Sequence, residues 1–128
     1  MTTRKDVINF FHTEFQSKKE LPDGLENQFF LKAIAEFELE LYPLKYDSAN
    51  ESFDSNLDLM EQSLLGKIMY KHYLSREKDR ILKLSNIVGK DISLTATGLS
   101  KSYIIQAHED VVSEIHILIN KLKESSYY

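Results

Sequence analysis

The sequence predicts a mainly α single domain: a four-helix bundle-like fold with a long third helix and one short extended segment, about 92–97, between the third and fourth helices. Three observations carry this expectation. Apolar residues recur at three- and four-residue spacings in four separate stretches, the period of helices that bury one face. Breakers fall between those stretches: Pro22 with Asp23-Gly24, Pro43 with a run dense in Ser, Asn and Asp, and Gly89 with Gly98. Between Ile92 and Thr97 the period drops to two, with Ile92, Leu94 and Ala96 on one side and Ser93, Thr95 and Thr97 on the other.

At 128 residues the chain is long enough for one domain, 1–128, with a real core. Without cysteine it has no disulfide staple, thiolate metal site or cysteine nucleophile. The stretch "MTTRKDVINFFHTEF" shows no apolar segment leading to a small-residue cleavage site, and no apolar run approaches the roughly 18 residues of a membrane span. A soluble protein with no membrane partner is expected.

The first helix should start at Thr3, whose hydroxyl caps while Asp6 stands three residues on, and run to about Ser17 with Val7, Ile8, Phe11 and Phe15 on one face. Pro22 constrains Leu21 and ends that segment. The second helix takes Asp23 as cap with Glu26 three residues later, and buries Phe29, Phe30, Ala33, Ile34, Phe37 and Leu41. Tyr42–Asn56 reads as the longest loop, with an extended piece at Leu44–Tyr46. Asp54 or Ser55 caps the third helix, which continues to about Val88 and stops at Gly89. At roughly 30 residues and about 1.5 Å per residue this helix outgrows a compact core, so part of it projects or Gly66 or Ser75 bends it. The fourth helix starts near Ser100 or Ser102 and carries the seam Ile104, His108, Val111, Ile115, Leu118 and Leu122, widened by Ile105, Val112 and Ile119. It is expected to pack on the third helix of its own chain.

Charge is segregated more than the net −4 suggests. From Glu20 to Glu61 eleven acidic residues face Lys32 and Lys45, giving −9; from Lys67 to Asp91 seven basic residues face Glu77, Asp79 and Asp91, giving +4. The plain reading is solvated helix faces. The functional reading is that Glu36, Glu38 and Glu40, or Asp58 and Glu61, of one copy meet Lys67, Lys71, Arg76 or Arg80 of the next.

Chemistry is hard to find. The histidines His12, His72, His108 and His116 lack ligand spacing; His108 and His116 stand eight apart, about 80° out of line on a helix. His108 on the seam is expected to pack with one hydrogen bond, and His72 to lie on the helix surface. Gly89-Lys90 and Gly98-Leu99-Ser100-Lys101 lack the spacing of a phosphate-binding loop. Glu36, Glu38 and Glu40 fan outward at alternate positions rather than converge as an acid/base pair. An enzyme is not expected, and neither a metal nor another cofactor is called for. The run "KIMYKHYLSREKDRILK", with Tyr70 and Tyr73 interleaved, is the one argument for nucleic acid, and Glu77 and Asp79 interrupt it.

A chain of this length with a long "SLLGKIMYKHYLSREKDRILKLSNIVG" helix, an extended "KDISLTATGLSK" and a closing amphipathic helix ending "INKLKESSYY" resembles the small head–tail connector proteins of tailed bacteriophages, also called adaptor or head-completion proteins. The similarity covers nearly the whole chain and rests on helix order and the flavour of the D-I-S-L-T-x-T-G-x-S-K segment. The resemblance implies a virion protein of the head–tail junction, assembled in the bacterial host cytoplasm, with no catalytic residues. It implies a ring of identical copies, commonly about twelve, docked on the portal protein and meeting a tail or neck protein. Nucleic acid is met at most through the channel, and there is no small-molecule substrate. The alternative class is a small helical regulatory or protein-interaction domain, with nucleic acid among its partners.

Three groups are then candidates for partner binding. The first is the strand residues Ile92, Leu94, Thr95 and Thr97, which pair either with Leu44–Tyr46 in the same chain or, as favoured, with a neighbour, tail or portal edge. The second is the charge set Glu36 and Glu40 with Lys71, Arg76 and Arg80. The third is the terminal pair Tyr127 and Tyr128, whose plain reading is a frayed end and whose functional reading is an aromatic interface.

Overall fold

One helix, α3 (Leu59–Val88), is the axis on which the others pack. The structure is a computed structural model and describes residues 2–15, 21–88 and 101–126. Around α3 lie α1 (Arg4–Thr13), α2 (Asp23–Glu40) and α4 (Lys101–Ser126), with a small antiparallel hairpin of β1 (Tyr46–Asp47) and β2 (Ser52–Phe53) before α3. The fold is mainly helical with a short β element. Leu64, Leu65, Ile68, Met69, Tyr70, Tyr73, Leu74 and Ile81 are all buried, so the apolar residues of α3 point to several sides, as a helix sheathed by neighbours requires. Buried side chains recur from Leu64 to Ile81, so α3 is packed against the other helices along that length rather than projecting there.

The Thr3 cap forms as expected: Asp6 N–H donates to Thr3 Oγ1 at 3.4 Å and Thr3 N–H donates to Asp6 Oδ2 at 2.9 Å. The helix stops at Thr13 rather than near Ser17, because Glu14 and Phe15 tighten the last turn by donating to Phe11 and His12 carbonyls three residues back. Phe15, just past the helix, still stacks edge-on against Phe11, Tyr70 and Tyr73, with centroids 5.1, 5.2 and 4.8 Å away.

Two caps differ from the expected ones. At α2 the cap position is Pro22, whose carbonyl accepts from Glu26 N–H at 3.0 Å, with no side-chain cap. Glu26 is instead buried, its carboxylate 3.3 Å from His12 Nε2. At α3 the cap is Asp58, not Asp54 or Ser55: Asp58 Oδ1 accepts from Glu61 N–H at 2.8 Å while Glu61 Oε1 accepts from Asp58 N–H at 2.9 Å. That reciprocal pair pulls the helix start downstream, and Asp54 and Ser55 form the bend after β2.

The loop between α2 and α3 is more ordered than composition suggests. Tyr46 pairs with Phe53 and Asp47 with Ser52, and Thr3 bridges to the other side of Ser52. Phe53 N–H donates to Thr2 carbonyl, Leu57 N–H to Thr2 Oγ1 and Arg4 N–H to Glu51 carbonyl, at 2.9, 2.8 and 2.9 Å. The hairpin is thus tied to the start of α1 and the approach to α3. The expected extended piece near Tyr46 therefore pairs with its own loop, and the strand candidate 92–97 lies outside the described residues.

α3 runs unbroken through Gly66. A Cβ there would stand 2.9 Å from Phe10 Cβ, 2.9 Å from Phe11 N and 3.0 Å from Phe10 C, so the missing side chain lets α1 approach α3. In α4, Ile104, Val111, Ile115, Ile119 and Leu122 are buried, as the seam predicts. They pack within the chain, antiparallel to α3: Ser75 meets His108, and Lys67 meets Glu114.

Candidate functional site

Because α2 and α4 both flank α3 and run antiparallel to it, a cleft opens between them. Its floor is Ile68, Lys71, His72 and Ser75 of α3; its walls are Glu36, Leu39 and Glu40 of α2 and His108, Val112, Ile115, His116 and Ile119 of α4, enclosing about 600 Å³. A second hollow of about 490 Å³ shares His72 and Ser75 and continues between α2 and α3 toward Lys32, Arg76, Arg80 and Lys83. Together they form a trough, apolar at one end and basic at the other.

Within the cleft the charges are used to hold helices together. Glu36 bonds Lys71 Nζ through one oxygen and places the other 2.8 Å from His72 Nε2, off the ring's N–H direction. The expectation that His72 is plain helix surface is corrected: it is half-buried on the α2–α3 seam, where α2 covers it at Glu36. Burial lowers its pKa, against the pull of the Glu36 charge. His108 meets its expectation, with Nε2 3.0 Å from Ser75 Oγ. Its pKa is lowered too, first by burial and then by Lys78 and Lys71, with Glu109 opposing.

The Ser75–His108 contact has the elements of a nucleophile and base. Ser75, however, sits inside α3, whose N–H groups are engaged in helical hydrogen bonds and furnish no oxyanion donors at its hydroxyl. The pair is an interhelical hydrogen bond. Among the described residues no three His, Asp or Glu side chains are placed to hold a metal ion, and no helix is long and apolar enough to cross a membrane.

These histidines set a pH dependence. In both the fold lowers the affinity for a proton, so the unfolded chain binds more protons around the unfolded value of about 6.5, and stability falls as pH drops through it. Each contributes less than about 1.4 kcal/mol per pH unit, reduced further where water screens the ring. Melting curves from neutral to mildly acidic pH should show Tm falling, and the paired variant His72→Gln, His108→Gln should flatten that fall. An unchanged slope in the variant would assign the acid sensitivity to other groups.

Most of the charges expected to face a neighbour are paired within the chain. Lys71 bonds Glu36; Lys67 bridges Glu14 at 3.0 Å and Glu114 at 2.7 Å; Glu40 lies 3.7 Å from Lys123; Glu38 Oε2 accepts from Leu44 N–H at 2.7 Å. Burial pulls the Lys67 pKa down, but the hydrogen bonds of Glu114 and Glu14 outweigh it, and the net shift is upward. Glu61 accepts from Tyr42 Oη at 2.8 Å and caps α3 with Asp58. Arg80 Nη2 stands 3.4 Å from Glu77, and Arg76 is exposed in the basic end of the trough. Ile92, Leu94, Thr95, Thr97, Tyr127 and Tyr128 lie outside the described residues.

Two features of the basic run change. Tyr70 and Tyr73 are buried and stacked on one another, centroids 6.0 Å apart, so neither ring is presented for base stacking. Glu77 is buried rather than interrupting the basic surface. Lys32, counted with the acidic half of the sequence, stands across the trough from Arg76 and Arg80. Counting charge by segment hid it; placing Phe29 and Phe30 inward on α2 puts Lys32 at the rim. Comparison with protein-family models, with curated proteins and with solved structures finds no match to this chain.

Proposed function

We propose that the chain is a non-enzymatic structural protein of the head–tail connector kind, one copy in a ring that joins the portal at the capsid vertex to the tail. The observation that supports this reading is the helix order: two shorter helices, then α3 and α4 of 30 and 26 residues lying antiparallel, joined through the segment that carries the resemblance. The use of Lys67, Lys71, His72 and His108 to pin helices suits a static part better than a reagent. Its partners are further copies, the portal and a tail or neck protein, and its place is the head–tail junction of the virion.

Native mass spectrometry of the chain, alone and mixed with portal rings, tests this. The expected result is a closed multiple of the 14.9 kDa subunit, seen as a ring by electron microscopy and bound to the portal. A monomer under both conditions would reject the reading. The basic end of the trough favours one second reading, an interaction domain whose partner is nucleic acid. That reading expects binding that weakens steeply with salt.

A further inference from the structure

Among the described residues, charge that is little paired collects at two places. The first is the basic end of the trough, where Lys32, Arg76, Arg80 and Lys83 stand against Asp79 and the Glu77 that Arg80 meets, a formal +2, around Leu25 and Phe29. Among the described residues Lys32, Arg76 and Lys83 have no carboxylate within 4.0 Å, and Arg80 has only Glu77 at 3.4 Å. The second is the hairpin tip, where Asp47, Glu51 and Asp54 stand with Lys45 beside them and Arg4 at the hairpin's base, a formal −1. Glu51 and Asp54 are exposed, with no cation within 4.0 Å among the described residues.

The tip is built rather than loose. Asp47 accepts from Ala49 N–H at 3.0 Å and from Asn50 Nδ2 at 2.7 Å, and Glu51 holds the left-handed turn at φ 51°. Below it, Phe53 is fully buried and Glu51 carbonyl accepts from Arg4 N–H. A tip already fixed in shape loses little freedom on docking.

Within one molecule the hairpin packs on α2 at Phe30, two residues before Lys32, and what separates its tip from Arg76, Arg80 and Lys83 is the length of α3. Thr2 ties the hairpin to Leu57, just before α3 begins, whereas Arg76–Lys83 lie far along that helix, roughly 25–35 Å away at about 1.5 Å per residue. That distance is several times the Debye length of about 8 Å at physiological salt. A second copy, by contrast, brings an acidic tip to every basic trough.

We propose that the hairpin tip of one copy seats in the α2–α3 trough of the next, with Glu51 and Asp54 facing Arg76, Arg80, Lys32 and Lys83. This contact is heterologous, so it repeats from copy to copy and closes into a ring where the rotation closes. It rests on the ring reading above and deepens it by naming the joint. Glu36, Glu40 and Lys71 take no part, being paired within the chain. Nucleic acid fits the trough less well, because the tyrosines are buried and the chain is net acidic.

Reciprocal charge exchange tests the joint. One variant carries Arg76→Glu and Arg80→Glu; a second carries Glu51→Lys and Asp54→Lys; a third carries all four changes. Self-association is read by sedimentation velocity, with portal rings added in a parallel series, and circular dichroism confirms that each variant folds. Each paired variant alone should lose association at least about tenfold. Mixing the two, or using the fourfold variant, should restore it. Assembly of the paired variants at wild-type strength, or failure of both restorations, overturns this joint while leaving a wild-type ring intact. A wild-type chain that stays monomeric even with portal overturns the joint and the ring together. Binding of a DNA duplex lost in the trough variant, with no wild-type self-association, assigns the trough to nucleic acid instead.

Discussion

Replacing Gly66 with alanine should destabilise the protein, although helix propensity alone predicts the opposite sign. In an open helix the change from glycine to alanine gains about 1 kcal/mol. Here the new methyl would lie 2.9 Å from Phe11 N and 3.0 Å from Phe10 C, backbone atoms that no rotamer change moves aside. α1 must then slide or lift from α3, disturbing the buried Phe11 and its edge contacts with Phe15 and Phe29. Overpacking of this kind costs about 1–3 kcal/mol after relaxation. Set against the propensity gain, we expect a net loss of about 1 kcal/mol for Gly66→Ala and more for Gly66→Val. Chemical denaturation with an unchanged m-value would measure it. A stabilised Ala variant would show that α1 does not approach α3 this closely.

Gly66 also shows where a sequence stops being readable. Period and breakers locate the four helices, the Thr3 cap and the α4 seam, because those features are local or repeat along one element. Gly66 lies in an apolar stretch, "LLGKIMY", where a bend and a close helix contact look alike. Only the position of α1 separates them. The central role of α3 was similarly hidden, since a helix buried on several sides loses the one-sided period that marks amphipathic ones.

The candidate site was less legible than the fold, for the same reason. Lys67 and Lys71 read as parts of a basic surface, yet each reaches a carboxylate from a helix distant in sequence: Glu14 and Glu114 for one, Glu36 for the other. Lys32 belongs to an acidic segment but completes a basic trough. Tyr70 and Tyr73, suited to stacking on bases by composition, stack on each other and on Phe15. Which charge remains for a partner is decided by tertiary pairing, and segment sums cannot express it.

The second large effect is expected at Phe53, in the stretch that composition marks as irregular. Its ring is fully buried, 5.1 Å from Tyr46 and 6.2 Å from Phe30, while its N–H donates to Thr2 carbonyl. A two-stranded ribbon has little stability of its own, so the hairpin depends on what it packs against. Phe53→Ala removes that anchor and leaves a void beside Phe30, at a typical cost of about 3–5 kcal/mol. That is a large share of the roughly 5–15 kcal/mol that holds a domain together. Were the segment a solvated loop, the same change would cost within about 0.5 kcal/mol. Hydrogen exchange adds a local readout: in the variant, protection should fall at Phe53 and Arg4 N–H, whose acceptors are Thr2 and Glu51, before it falls along α3. Well below its melting temperature the variant should keep its helical signal but lose the fixed tip of Glu51 and Asp54, and with it the association that the tip supports. A Phe53→Ala protein with unchanged melting and protection would show that the hairpin is not anchored by this ring.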